Sequence, residues 1–163
     1  MDKTASHRTQ GFLSLFDMQT TYFNRALDGI SDEDAYQRLN TPANHIAWLA
    51  GALVNQRFSM ASEAQHDEVQ TGGDLFADFK GLQTDAKYPT LEQYRSDWQK
   101  ITPIARQQLI DIDDKKLDSD FDMGEMKMTY YDLLSFTIYR EASILGQIAL
   151  WRRLLNYPAM RYD

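Results

Sequence analysis

Leu133-Leu134-Ser135-Phe136-Thr137-Ile138-Tyr139-Arg140-Glu141-Ala142-Ser143-Ile144-Leu145-Gly146-Gln147-Ile148-Ala149-Leu150-Trp151 is the stretch whose reading decides the fold. Within it Leu133, Phe136, Ile144, Ile148 and Trp151, continued by Leu155, recur at helical spacing, which predicts a long helix with an apolar stripe. Upstream, Thr129 with Asp132 resembles a capping box, with Asp in place of the usual Glu. Downstream, Asn156-Tyr157-Pro158 predicts the end. One helix cannot cover its own apolar stripe, so the rest of the chain must supply partners.

Three further helices are predicted. From about Ala5 to Leu27, Phe12, Leu15, Phe16, Tyr22, Phe23 and Ala26 share a face, and Gly29 offers a stop. Thr41-Pro42 reads as a hydroxyl cap followed by a first-turn proline, opening a second helix through Ile46, Leu49, Leu53 and Phe58 to about Ala61. Thr90 is expected to cap a third, along Leu91, Tyr94, Trp98, Ile101, Ala105 and Leu109, with Pro103 bending it. The polar connection Ser62 to Pro89, with a short helix capped by Asp74, is long enough to cross the bundle. An acidic elbow from Asp111 to Asp122 precedes Met123-Gly124-Glu125-Met126, which is expected to turn a short hairpin. The expected fold is therefore all-α, a four-helix bundle with a long connection between its second and third helices and a hairpin-like elbow before the fourth.

The 163 residues, 43% apolar and 12% aromatic, suit one domain, residues 1–163, with a core that needs neither disulfide nor structural metal. A net charge of −7 argues against nucleic acid, which is bound through clustered Lys and Arg that release counterions. The chain has 0 cysteines, which excludes thiol nucleophiles, Cys-ligated zinc and disulfides and fits a reducing compartment. Met1 to Gln10 is polar, without an apolar signal region, and no stretch approaches the ~18 apolar residues of a spanning helix. A cytoplasmic protein that does not enter membranes is expected.

Two segments, Asn44-His45-Ile46-Ala47-Trp48-Leu49-Ala50-Gly51-Ala52-Leu53 and Arg140-Glu141-Ala142-Ser143-Ile144-Leu145-Gly146-Gln147-Ile148, resemble the DinB/YfiT-like superfamily of four-helix bundles. Tyr88-Pro89-Thr90 and Trp151-Arg152-Arg153-Leu154-Leu155-Asn156-Tyr157-Pro158 support the resemblance, which spans nearly the whole chain. It implies a divalent metal held by three histidines, one on the second helix and two, four residues apart, on the fourth. Those positions fall here on Ala52, Arg140 and Ile144. Ala52 and Ile144 have no donor atom, and Arg140 is a permanent cation that repels a metal ion. The resemblance thus implies a kept fold and a lost metal site, with no metal and no cofactor. It also implies a homodimer.

Of the 3 histidines, His7 lies near the N-terminus and His66 in the long connection. His45 stands seven residues before Ala52 and so on the same helical face, where a helix-end hydrogen bond and a ligand role are both open. Asp118-Ser119-Asp120-Phe121-Asp122 mimics the start of a calcium loop, but Met123 stands where glycine is needed and Thr129 where glutamate is, so a solvated elbow is expected. Spacing puts Arg140 in the apolar stripe, where its guanidinium must find partners. Either Asp17, Gln19, Asn55 or Gln56 satisfies it internally, or it forks onto the carboxylate or phosphate of a small anionic ligand in a pocket lined by Tyr22, His45, Trp48, Ala52, Ile144 and Gln147. Glu141 points about 100° away around the helix and is expected at the surface. Trp48, Trp98 and Trp151 read as core.

No Ser-His-Asp arrangement, phosphate-binding glycine loop or nucleotide fingerprint is present, and no catalytic residue is assigned. Three functions are carried forward: a metal-free small-ligand or protein-interaction module, a metal-dependent thiol-transferase or hydrolase-like enzyme with a non-standard site, and a structural homodimer with contacts from Met123, Met126 and Met128.

Overall fold

The computed structural model describes residues 2–123 and 126–163. The described residues are all-helical apart from one small antiparallel hairpin toward the C-terminal end. In order come α1 (Gln10–Leu27), α2 (Ile46–Met60), α3 (Leu91–Asp111), a short α4 (Asp114–Leu117), β1 (Asp120–Met123), β2 (Met126–Thr129) and α5 (Tyr130–Leu154). α2 packs on α3 and α5, while α1 packs on α5 and α3, so each of the four long helices has two long-helix neighbours. No helix among the described residues is long and apolar enough to cross a membrane.

Local chemistry sets most boundaries. Thr90 and Thr129 each accept from the backbone N–H three residues on and are answered by Gln93 and Asp132, so both α3 and α5 begin in capping boxes. Pro103 lies within α3. The hairpin pairs Asp120 with Thr129 and Met123 with Met126; the expected turn residues Gly124 and Glu125 lie outside the described residues. The calcium-loop mimic is split, because Asp118 ends α4 and binds Arg8 at 2.7 Å while Asp120 to Asp122 enter β1.

Three expectations need correction. α1 begins at Gln10 rather than Ala5, preceded by a 3-10 turn at His7–Thr9. α2 begins at Ile46: the Thr41 hydroxyl donates to the Arg38 carbonyl and accepts from the Ala43 N–H, closing a turn, and the cap is His45. The connection from Ser62 to Pro89 holds only 3-10 turns, Gly73–Leu75 and Ala77–Phe79, with Asp74 inside the first of them.

The core falls into two clusters. One gathers Phe23, Leu53, Trp98 and Ile148 with their neighbours; the other gathers Leu13, Phe16, Ile101, Leu109, Leu134 and Ile138. Gly51 lets the first cluster close, since a Cβ there would stand 2.3 Å from the Phe76 ring and 2.5 Å from the Tyr94 hydroxyl. Trp98 and Trp151 are core residues as expected, whereas Trp48 is half-buried.

Candidate functional site

α2 and α5 run side by side, and polar side chains bridge them. Gln56 of α2 donates through Nε2 to the Thr137 carbonyl at 2.8 Å and accepts at Oε1 from Arg140 Nη1 at 2.8 Å. Gln56 is thus the internal partner of Arg140. Asp17 instead binds Arg106, Gln19 the Ile138 carbonyl and Asn55 Gln70. Arg140 is half-buried, and burial pulls its pKa down against the opposing pull of Glu141. No carboxylate of the described residues comes within ion-pair distance of it.

Beside Arg140 lies a cleft of about 240 Å³, lined among others by Asn44, Trp48, Phe136, Ile144 and Gln147. The Trp48 indole Nε1 is buried and has no hydrogen-bond partner among the described residues. Four of the residues expected to line a ligand pocket, Trp48, Arg140, Ile144 and Gln147, therefore do come together.

The other three do not line this cleft. Ala52 is 3% exposed in the core. His45 caps α2, its Nδ1 accepting from the Trp48 N–H at 3.1 Å and its ring set against Tyr36 and Tyr88. Burial, assisted by the charge of Arg38 and opposed by a backbone hydrogen bond, drives its pKa down to about 4. A buried neutral imidazole whose Nδ1 lone pair already holds an N–H is a helix cap. Tyr22 of α1 donates to the Tyr162 carbonyl at 3.1 Å and meets the Tyr162 ring edge-on.

Glu141 overturns its expected surface position. Its side chain is 0% exposed and meets the equally buried Arg57 in a two-pronged ion pair, Arg57 Nη2 donating to Oε2 at 2.7 Å and Nε to Oε1. The buried residues of α5 are Leu134, Ile138, Glu141, Ile144, Leu145, Ile148, Trp151 and Arg152: of the predicted stripe Ile144, Ile148 and Trp151 are buried as expected, whereas Phe136 is 56% exposed and Arg140 is half-buried on the rim. Burial raises the Glu141 pKa and lowers that of Arg57, and each partner's charge with the bidentate contact opposes the other's shift. A metal does not fit the implied positions: Ala52 and Ile144 offer no donor and Arg140 is cationic. Among the described residues no group of three or more His, Cys, Asp or Glu is placed to hold an ion.

Two larger concavities lie elsewhere on the chain. A basin of about 570 Å³ adjoins the other end of the α2–α5 groove, lined by Met60, Phe79, Phe121, Tyr130, Leu133 and Leu134 with Gln56 and Thr137 on its wall. A cleft of about 740 Å³ contains Arg25, Arg95, Arg152 and Arg161 with Asp28 and Asp163. There Arg152 donates to the Ala26, Asp28 and Pro158 carbonyls and Arg95 to the Leu27 carbonyl, so these cations close the C-terminal end of α1. No protein-family model, curated protein or solved structure matches the chain.

Proposed function

We propose that the chain is a DinB/YfiT-like four-helix bundle that has lost its metal and works as a non-catalytic small-ligand module, holding an anion on Arg140. The observation that carries this is a half-buried guanidinium with no carboxylate partner among the described residues, opening beside a cleft that also contains Trp48, Ile144 and Gln147. A desolvated guanidinium held by one amide oxygen keeps donors for a carboxylate or phosphate. The absence of cysteine fits a cytoplasmic setting.

Elemental analysis of untagged protein purified without chelators, followed by titration of acetate and inorganic phosphate into wild type and Arg140→Gln, tests the reading. No bound metal, and anion binding that Arg140→Gln loses while its circular dichroism is unchanged, is expected. A metal content of about one ion per chain would revive a metal-dependent enzyme. Anion binding indifferent to Arg140→Gln, or absent altogether, overturns the ligand reading.

A second reading, a homodimer, is favoured by the outward face of α5. Phe136, Tyr139, Leu150 and Leu154 are 56%, 69%, 58% and 50% exposed and lie along one side of the helix with Ser143 and Gln147 between them. Sedimentation of wild type and Leu150→Glu tests it: a dimer dissociated by the charge is expected, and a wild-type monomer rejects it.

A further inference from the structure

We infer that the ligand is a free single-chain amphipathic carboxylate, its head group on Arg140 and its apolar chain in the neighbouring basin. The inference rests on the reading of Arg140 as an anion anchor and adds the chemistry of the rest of the molecule. Arg140 and the basin are one side chain apart: Gln56, which accepts from Arg140 at 2.8 Å, forms part of the basin wall. Thr137, one helical turn before Arg140 on α5, forms another part. The basin volume of about 570 Å³ lies within the range of small-molecule sites, and Met60, Leu133, Leu134 and Tyr130 give it an apolar lining.

Charge sets the direction of the ligand. Glu63 and Asp122 belong to the end of the basin where α2 has stopped and β1 runs, and Glu63 is itself paired with Lys116 at 2.6 Å. At that end the Glu63 charge is already met by Lys116, whereas Arg140 has no carboxylate partner among the described residues, so a carboxylate seats at Arg140 and the chain runs from there into the basin. Phe79 supplies the missing cover. Its ring lines the basin yet is 90% exposed, and both Asp78 and Phe79 hold left-handed backbone at φ 54° and 57°. Side chains other than Gly, Asn and Asp seldom adopt this conformation, and here it presents a large apolar ring to water beside an apolar hollow. An alkyl chain in the hollow covers that ring.

Isothermal titration of the full chain with octanoate, octanol and acetate separates the parts. Octanoate is expected to bind about tenfold or more tighter than acetate through its buried methylenes, and about tenfold tighter than octanol through its charge. Phe79→Ser, at an exposed position, is expected to weaken octanoate about fivefold and leave acetate unchanged. Arg140→Gln is expected to abolish the preference for octanoate over octanol. Equal affinities for octanoate and acetate, or octanoate binding untouched by Phe79→Ser, overturn the amphipathic ligand and leave the anion site standing. Octanoate affinity unchanged in Arg140→Gln overturns both.

Discussion

The guanidinium of Arg57 meets the carboxylate of Glu141 where the two halves of the core join. Both side chains are 0% exposed, and the Arg57 guanidinium carbon stands 3.3 Å from the Phe16 ring centroid in one cluster and 4.3 Å from that of Trp98 in the other. Arg57 also donates to the Thr20 hydroxyl at 3.2 Å and the Phe16 carbonyl at 3.3 Å. One ion pair thereby ties α2 to α5 and reaches α1. Removing one partner strands the other charge in a medium that cannot solvate it, whereas removing both leaves a site that apolar groups can fill. Glu141→Leu and Arg57→Met are each expected to cost about 3–5 kcal/mol in urea unfolding, and the two combined far less than the two single losses together. A double variant as unstable as the sum of the singles would show that the pair is not a coupled unit.

His45 makes stability depend on pH. Its pKa falls from the ordinary 6.5 to about 4 because the ring is buried, with Arg38 adding repulsion. Between these values the unfolded chain binds a proton that the folded chain refuses, so the contribution is complete above pH 6.5, declines as the pH drops, and is gone by about pH 4. The shift corresponds to about 3 kcal/mol as an order of magnitude. His45→Asn keeps a capping acceptor but does not titrate. The wild-type minus variant difference in unfolding free energy is expected to fall across that window; a flat difference would show that the ring protonates without loss of the fold.

Helix existence was legible because spacing reports packing and caps report local hydrogen bonding. Thr90 with Gln93 and Thr129 with Asp132 start helices as their sequences say, since a cap is settled within four residues. Thr41 misled for the same local reason: its hydroxyl found the Arg38 carbonyl first, and an imidazole, an unusual cap, took over three residues past the proline. The buried face of α5 was legible in part: Ile144, Ile148 and Trp151 of the predicted stripe are buried, but Phe136, Tyr139, Leu150 and Leu154 are apolar yet exposed while Glu141 and Arg152 are buried. A charged residue on a buried line reads as surface until its partner is known. Arg57 is 84 residues from Glu141, and nothing near either position announces the other. The candidate site was half legible: Trp48, Arg140, Ile144 and Gln147 share a helix pair, whereas Tyr22 was placed by spacing alone and turned toward the C-terminal tail.

Two helical glycines should respond oppositely to one methyl group. At Gly51 an added Cβ meets Phe76 at 2.3 Å and Tyr94 at 2.5 Å, two large rings of the core, while at Gly146 no atom of the described residues beyond its chain neighbours and its own helix backbone lies within 4 Å. Gly51→Ala is expected to lower stability by about 1–3 kcal/mol through overpacking. Gly146→Ala, in the exposed interior of α5, is expected to raise it by roughly 0.5–1 kcal/mol by restricting the unfolded chain. Thermal unfolding of both variants decides the matter; a destabilising Gly146→Ala would mean that another surface packs against α5 there.

Arg152 holds the C-terminal segment and α1 together through geometry that lysine cannot reproduce. It is 4% exposed, its Nη1 donates to the Ala26 carbonyl at 3.0 Å and to the Asp28 carbonyl, and its Nε donates to the Pro158 carbonyl at 3.1 Å. These donors leave a planar fork in two directions, one closing the end of α1 and the other fastening the chain beyond α5. A lysine ammonium keeps the charge but sits at a single point, so at least one carbonyl loses its donor, at about 1–3 kcal/mol for each one left buried and unsatisfied. Arg152→Lys is expected to lower the unfolding free energy by about that amount and to speed amide hydrogen exchange from Tyr157 to Asp163, where Tyr157 N–H now donates to the Arg152 carbonyl at 2.8 Å. Loss of stability with unchanged exchange in that segment would place the role of Arg152 at the end of α1 alone.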